Sequence, residues 1–514
     1  MSKENEEMIP FSGDTKEKLV DDKEIKIHSS KKTLWIIIIS IIVLIAVGIS
    51  LFFILKDDDD DDDEKDKEPH KEEEEHKEEE EHKEEEDHKE EEEHKEEEGE
   101  EYENNKISAK YEIFYPTNLT KIFHETYINL IDILKIDGKT VDIENIKTFD
   151  DEGSHTIDFY FKHKLSTLEN FFYKVNTLKE VDLSNFISDK IESTSDMFNG
   201  CTELEKVDFS ENYGNIKNIS NMFTDCYSLQ SINLGAFSNG KIKDMYGLFL
   251  RCSSLTDINF GNFNTKNVIN MSNLFAECSN LEKIDLSGFE TNQVTDMSNM
   301  FYGCINLDSL NLTNFNTEKA IHMNGMFDGC EKISILSLEN FETKNVENMF
   351  FMFGDCKSLS SLNINNFNTQ NVKDMFGLFK NCESLEEIDI SHFTTNDVID
   401  MGDMFGNCTS LKKVNLNNLN TENLIYMTGM FENCKNLTSL DLSSFDTKNV
   451  VDARYLLNNC TSLTSIDFSK FDTSNLIFTE GIFNGLSPNG TLHYNPEIFN
   501  ESLLKLLPEN WTFI

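Results

Sequence analysis

The sequence predicts an α/β solenoid, a right-handed coil with one strand and one short helix per 26-residue repeat, capped at both ends and preceded by one N-terminal transmembrane helix. Three observations predict it. Eleven cysteines recur at an almost fixed interval, each in similar surroundings. Between them, apolar residues alternate with period two over one stretch and fall at i, i+3, i+4, i+7 over another. Ahead of them runs a block of 22 residues without a charge.

The cysteines are Cys201, Cys226, Cys252, Cys278, Cys304, Cys330, Cys356, Cys382, Cys408, Cys434 and Cys460; the first interval is 25 residues and the other nine are 26. A period of this size marks a solenoid or array. After Cys278 come Leu281, Ile284 and Leu286, then Phe289, Thr291 and Val294. Leu-x-x-Ile-x-Leu fits the strand of a leucine-rich repeat, alternating toward a core. Met297, Met300, Phe301 and Cys304 then mark one face of a short helix. Asp296 is placed to cap it. Gly303 stands before the cysteine, as do Gly200, Gly329, Asn381, Asn407, Asn433 and Asn459 in other units. Those residue types tolerate the left-handed conformation that ends a helix.

The register outlasts the cysteines. Val175 and Leu486 occupy the Cys slot one period before and one period after the series. The solenoid is therefore placed at 171–486, between an N-terminal cap at 105–170 and a C-terminal cap at 487–514 that holds Trp511. Such units bury their apolar faces only by stacking, and the end units must be sealed. Strands are read at Tyr111–Tyr115 and Ile157–Phe161 of the first cap. At strand spacing the stack should be about 55–60 Å long.

An apolar occupant at both ends of the Cys column reads that slot as hydrophobic. Stacked neighbours would lie within disulfide reach, but their side chains would point the same way into the coil. The favoured reading is a ladder of reduced, buried thiols packed as small hydrophobes. Some disulfides, or a metal, are the alternatives; no CxxC spacing supports zinc.

Residues Leu34–Leu55 read LWIIIISIIVLIAVGISLFFIL. As a helix, a run of that length crosses a bilayer core. A cleaved signal peptide is the rival; it fits poorly, because 33 residues precede the run and no A-x-A-like site follows. Lys31 and Lys32 precede the run, whereas Lys56 and then Asp57 to Asp63 follow it. The positive-inside rule then makes 1–33 a short cytoplasmic tail and sets the solenoid outside the cell. The expectation is a single-pass, signal-anchored plasma-membrane protein held through residues 34–55.

Residues 56–104 form an acidic low-complexity spacer; residues 57–101 alone hold 31 acidic residues against 7 Lys. Most of this tract can bury no apolar surface, so nothing offsets the entropy of ordering it. His70, His76, His82, His88 and His94 recur every six residues. A metal- or pH-responsive segment is the sharper reading, weakened because that spacing puts successive imidazoles on different helix faces. The formal net charge of −49 argues against nucleic acid as a partner.

The unit Asp-Met-x-x-Met-Phe-x-x-Cys-x-x-Leu-x-x-Ile-x-Leu-x-x-Phe-x-Thr resembles the BspA-like leucine-rich-repeat surface proteins, over about residues 175–486. Ile107–Tyr111 and the IDGK of Ile136–Lys139 also look like the start of such ectodomains. The resemblance implies a surface location and adhesion to host proteins or cells, and supplies no catalytic residue. This chain differs from many members in carrying its anchor at the N-terminus.

No constellation for catalysis stands out, so an enzyme and a cofactor are not expected. His322 and His392 are the histidines within the Cys-bearing units, and no other unit repeats them. One column merits a functional reading. The residue between the Ile and Leu of each strand should face solvent on the concave side: Asp208, Asn233, Asn259, Asp285, Asn311, Ser337, Asn363, Asp389, Asn415, Asp441 and Asp467. The plain reading is a polar strand face whose Asn and Asp share hydrogen bonds along the stack; the functional one is a ligand-facing strip. Few aromatics adjoin it, which favours weak, multivalent contact. Ten Asn-x-Ser/Thr sequons follow the apolar run, and matter only if the host glycosylates exported proteins. Stacking should bury several of them. The expected function is a cell-surface adhesion or recognition protein that binds proteins, cells or matrix. A structural surface coat without a specific ligand is the alternative.

Overall fold

The computed structural model describes residues 105–211, 213–238 and 241–514. The tail, apolar run and spacer read at 1–33, 34–55 and 56–104 lie outside the described residues. Among those described, no helix is long and apolar enough to cross a membrane.

The stack opens on an antiparallel sheet. Lys106–Ile113 pairs with Gly153–Tyr160, which pairs in turn with Ile133–Ile136. That strand reverses into Lys139–Val141 through Asp137 and Gly138, at φ 50° and 77°. Asp-Gly suits this two-residue hairpin because both positions are left-handed. On its other edge Lys106–Ile113 pairs with Leu178–Asp182, itself parallel to Lys206–Asp208. The sheet thus passes without a break from the antiparallel cap into the parallel order of the coils. The first strand runs further upstream than its sequence reading, because Ile107 and Ala109 continue the buried alternation of Tyr111 and Ile113.

From there the chain is a β-solenoid of about twelve turns, marked by twelve parallel bridges from Thr167↔Ser193 to Asp452↔Phe478. Short parallel strands stack in register one repeat apart, as Ile258 on Ile232, Ile388 on Val414 and Leu440 on Ile466. The ladder has no assigned strand in the coils around Ile284 and Leu310. At the far end Asn489–Tyr494 and Asn510–Phe513 extend the last sheet. There Trp511 is buried and donates its indole N–H to the Ser487 carbonyl at 2.8 Å.

The expected short helix is absent, and this corrects the sequence reading. Helix among the described residues is confined to Glu501–Leu504 and to two 3-10 turns, Glu125–Tyr127 and Gly235–Phe237. The tract from Met297 to Cys304 is a train of turns. The N–H groups of Met300, Tyr302 and Cys304 bond to the carbonyls of Met297, Asn299 and Phe301 within the tract. Those of Met297, Asn299, Phe301 and Gly303 instead reach sideways to His322, Asn324, Met326 and Asp328 of the next coil. A helix would spend all of these donors on itself. Asn299 and Gly303 sit at φ 53° and 67°, which permits the alternation. Turns closed at i+3 bury the same i, i+3, i+4, i+7 set that a helix does, so the apolar pattern does not separate the two. Asp296 caps no helix. Its carboxylate accepts the Ser298 N–H at 2.9 Å and opens the turn train.

The core is columnar. From Phe172 to Phe431 one phenyl ring per coil stacks on the next, with centroids 5.4–5.9 Å apart. All eleven cysteines are free and buried beside that column. Each thiol donates to a phenylalanine carbonyl of the preceding coil, as Cys304 to Phe275 at 3.1 Å and Cys330 to Phe301 at 3.3 Å.

Candidate functional site

The strand-face column lies where it was expected, at the surface. Asp208, Asn233, Asn259, Asp285, Asn311, Ser337, Asn363, Asp389 and Asp441 are exposed, and Asn415 and Asp467 are half-buried. Where a strand is assigned it ends at this residue, or one residue beyond it at Asp467, and the chain must then turn. From Asn233 to Asp467 every Asn or Asp of the column accepts the backbone N–H two residues on, at 2.9–3.3 Å. A side chain that mimics a backbone turn in this way is the reason for Asn and Asp here. The bonds along the stack that the plain reading expected are few: Asn415 Nδ2 to Asp389 at 2.9 Å, and His493 to Asp467 at 3.0 Å.

Asp285 and Asp441 are therefore held by one oxygen and present the other, whereas both oxygens of Asp389 and of Asp467 are engaged. The hydroxyl and N–H of Ser287 hold Asp285 below the usual carboxylate range, and those of Ser391 do the same for Asp389. For Asp467 partial burial works in the opposite direction, but its bonds from Ser469 and His493 prevail and lower it. Shallow depressions along this face are lined by Asn363, Asp389 and Asn415, by Asp208 and Asn233, and by Asp285 and Asn311.

The repeat histidines have ordinary neighbours. The His392 ring N–H donates to the Ile364 carbonyl at 3.0 Å, as Asn340 and Asn366 do to Leu312 and Leu338 from the same column. His322 stands in the bridge ladder between Asp296 and Asn348. Among the described residues no group of three His, Cys, Asp or Glu is placed to hold a metal ion. None of the ten sequon asparagines is fully buried, contrary to expectation; Asn118, Asn311, Asn436, Asn459, Asn489, Asn500 and Asn510 are exposed.

A second surface was missed in the sequence. On the turn tract Phe350 and Phe376 stack at 5.6 Å, and Phe351 packs against both at 4.6 and 5.5 Å. The same positions hold Ser272, Ser298 and Gly402, or Asn273, Asn299 and Gly377, in other coils. The departure from those columns was the available signal.

The turn trains and parallel ladders define a β-solenoid of the leucine-rich-repeat-like kind. The family described as "Mycoplasma protein of unknown function, DUF285" matches in overlapping segments at 142–246, 166–287, 217–335, 270–387, 305–417 and 379–493, about two thirds of the sequence, and the chain belongs to it. Among solved structures, a leucine-rich repeat protein from Eubacterium ventriosum aligns with 60% of this chain and 83% of its own, at 16% identity and a TM-score of 0.26. A chain of the TLR13–ssRNA13 complex aligns with 63% of this chain at 17% identity and a TM-score of 0.18; this chain spans 52% of that one. No curated protein matches the chain.

Proposed function

We propose that the chain is a cell-surface recognition or adhesion protein, single-pass with its N-terminus cytoplasmic, whose coil binds proteins, cells or matrix outside the plasma membrane. The observation that carries this reading is the row of turn-closing Asn and Asp side chains, repeated at strand spacing along one exposed face. Such a row offers many equivalent weak contacts and no deep cleft, which suits binding by avidity. No catalytic residue enters the reading, and the protein is proposed not to be an enzyme.

The test uses the full chain in a saturable binding assay on cells and matrix proteins. A fourfold variant, Asp285→Asn, Asp389→Asn, Asp441→Asn and Asp467→Asn, keeps every turn acceptor and removes the charge. Saturable binding by the parent, lost in the variant, is expected. Binding that never saturates would favour a coat without a specific ligand.

A further inference from the structure

The turn-tract surface around Phe350 presents an aromatic cluster and two partly buried carboxylates, Asp328 and Asp400, the latter accepting the Gly402 N–H at 2.8 Å. Phe350 is 39% exposed, although its place in the repeat takes Ser, Asn or Gly in most other coils. Phe351 is held at φ 50°, in a column otherwise filled largely by Gly, Asn and Asp. A bulky side chain there is a backbone outlier. Packing against Phe350 and Phe376 holds it in place.

Two carboxylates adjoin these rings. A Cβ on Gly354 would stand 2.6 Å from Phe351 Cδ1 and 2.8 Å from Asp328 Oδ1. A Cβ on Gly402 would stand 3.0 Å from Phe376 Cδ2 and 3.1 Å from Asp400 Oδ1. Both pairs meet over a bare glycine, so each carboxyl lies beside an aromatic edge. Burial raises both, Asp328 to about 7 and Asp400 to about 6. The nearby lysines are already engaged: Lys380 with Asp403 at 2.7 Å, Lys373 with Glu347 at 2.8 Å and Lys357 with Glu331 at 2.6 Å.

We propose that Phe350, Phe351, Phe376, Asp328 and Asp400 form a docking site for a basic segment of a partner protein, one that presents arginine or lysine beside apolar side chains. The cations would complete the partly desolvated carboxylates by charge-assisted hydrogen bonds, and the apolar side chains would cover the exposed ring. The molecule already contains an internal likeness of the ligand. The Lys380 ammonium lies 5.8 Å from the Phe351 ring and 5.9 Å from that of Phe376, within cation–π range. Charge also decides against a second copy as occupant, because two chains of formal charge −49 repel. This site rests on the same reading of the coil as a binding module, but on surface separate from the strand-face strip.

The test uses the full chain and a short peptide alternating arginine and leucine that carries a photo-crosslinker, with a citrulline peptide of the same shape as the uncharged control. The acidic tract at 57–101 will also attract a basic peptide, so the readout is the cross-linked residue, mapped by mass spectrometry. Cross-links within 324–404 are expected, and citrulline should abolish them. They should fall about tenfold in Phe350→Ser/Phe351→Asn/Phe376→Ser and in Asp328→Asn/Asp400→Asn, as for loss of close charged or aromatic contacts. The first variant installs residues that other coils carry at these positions, and far-UV circular dichroism checks its fold. Cross-links confined to 57–101, coil cross-links unchanged in both folded variants, or self-cross-linking through these coils without peptide would each overturn the proposal. Failure of the parent to bind cells or matrix would instead overturn the proposed function and leave this map standing.

Discussion

The Thr291 hydroxyl donates to the Asn316 carbonyl at 2.8 Å and accepts the Asn316 N–H at 2.8 Å, so one buried side chain satisfies both backbone groups of a residue in the next coil. Thr265, Thr317, Thr343 and Thr369 do the same for Glu290, Glu342, Asn368 and Thr394. This column rivets successive turns at the bend after the strand.

Replacing Thr291 by Val keeps the shape and leaves two partly buried backbone groups of Asn316 without a partner. A loss of about 1–3 kcal/mol is expected. Thr291→Ser keeps the hydroxyl and should cost less. The Asn316 amide, followed by native-state hydrogen exchange, should lose protection in the Val variant first. Equal protection in both variants would remove the rivet from the account.

The thiol column should be inert and reduced. Burial pushes the thiols of Cys201, Cys304, Cys408 and Cys460 up to about 12. Alkylation of the native chain should therefore be slow, and unfolding without reductant should expose all eleven thiols. Peptides bridged between neighbouring units would refute this. Cys330→Ala should destabilise by about 1–2 kcal/mol through the cavity it leaves. Cys330→Asp should be far worse, because it buries a charge without a partner.

Asn299 separates the turn train from the helix that the sequence suggested. In a helix, Asn299→Ala would stabilise, since alanine is the better helix former. At φ 53° the same change should destabilise by about 1 kcal/mol, and Asn299→Gly should be close to neutral. Thermal unfolding of the two variants decides between the structures.

Asp328 makes part of the stability fall with rising pH. Its folded-state value of about 7 lies above an ordinary unfolded aspartate, so the folded chain holds that proton more tightly. The contribution is complete below the unfolded value, near pH 4, and is lost as pH rises through 7. Asp328→Asn should flatten that descent relative to the parent. Melting curves of both proteins from pH 4 to 8 measure the difference. Parallel curves would mean that the carboxyl is solvated.

Much of the fold was legible because repetition multiplies weak signals. The Cys register located the coils, and Val175 and Leu486 showed the slot to be apolar. The strip was placed on the surface by period-two alternation. The turn train was misread because Met297, Met300, Phe301 and Cys304 are buried alike in either structure. Gly or Asn recurring at Gly247, Asn273, Asn299, Gly325, Gly377 and Gly429, within the supposed helix, was the contrary signal.

By itself the sequence determined which side chains face inward, because burial of apolar groups follows from local periodicity and a fixed repeat. Only the tertiary structure decided where the backbone hydrogen bonds go. The N–H of Asn299 can serve its own turn or the Asn324 carbonyl of the next coil, and it takes the second because stacking brings that carbonyl to 2.9 Å. The same holds for the strip, whose surface position was legible in sequence but whose side chains are seen to close turns only in three dimensions. It holds as well for Phe351 and Asp328, 23 residues apart in the chain and brought together over Gly354 by the pitch of one coil.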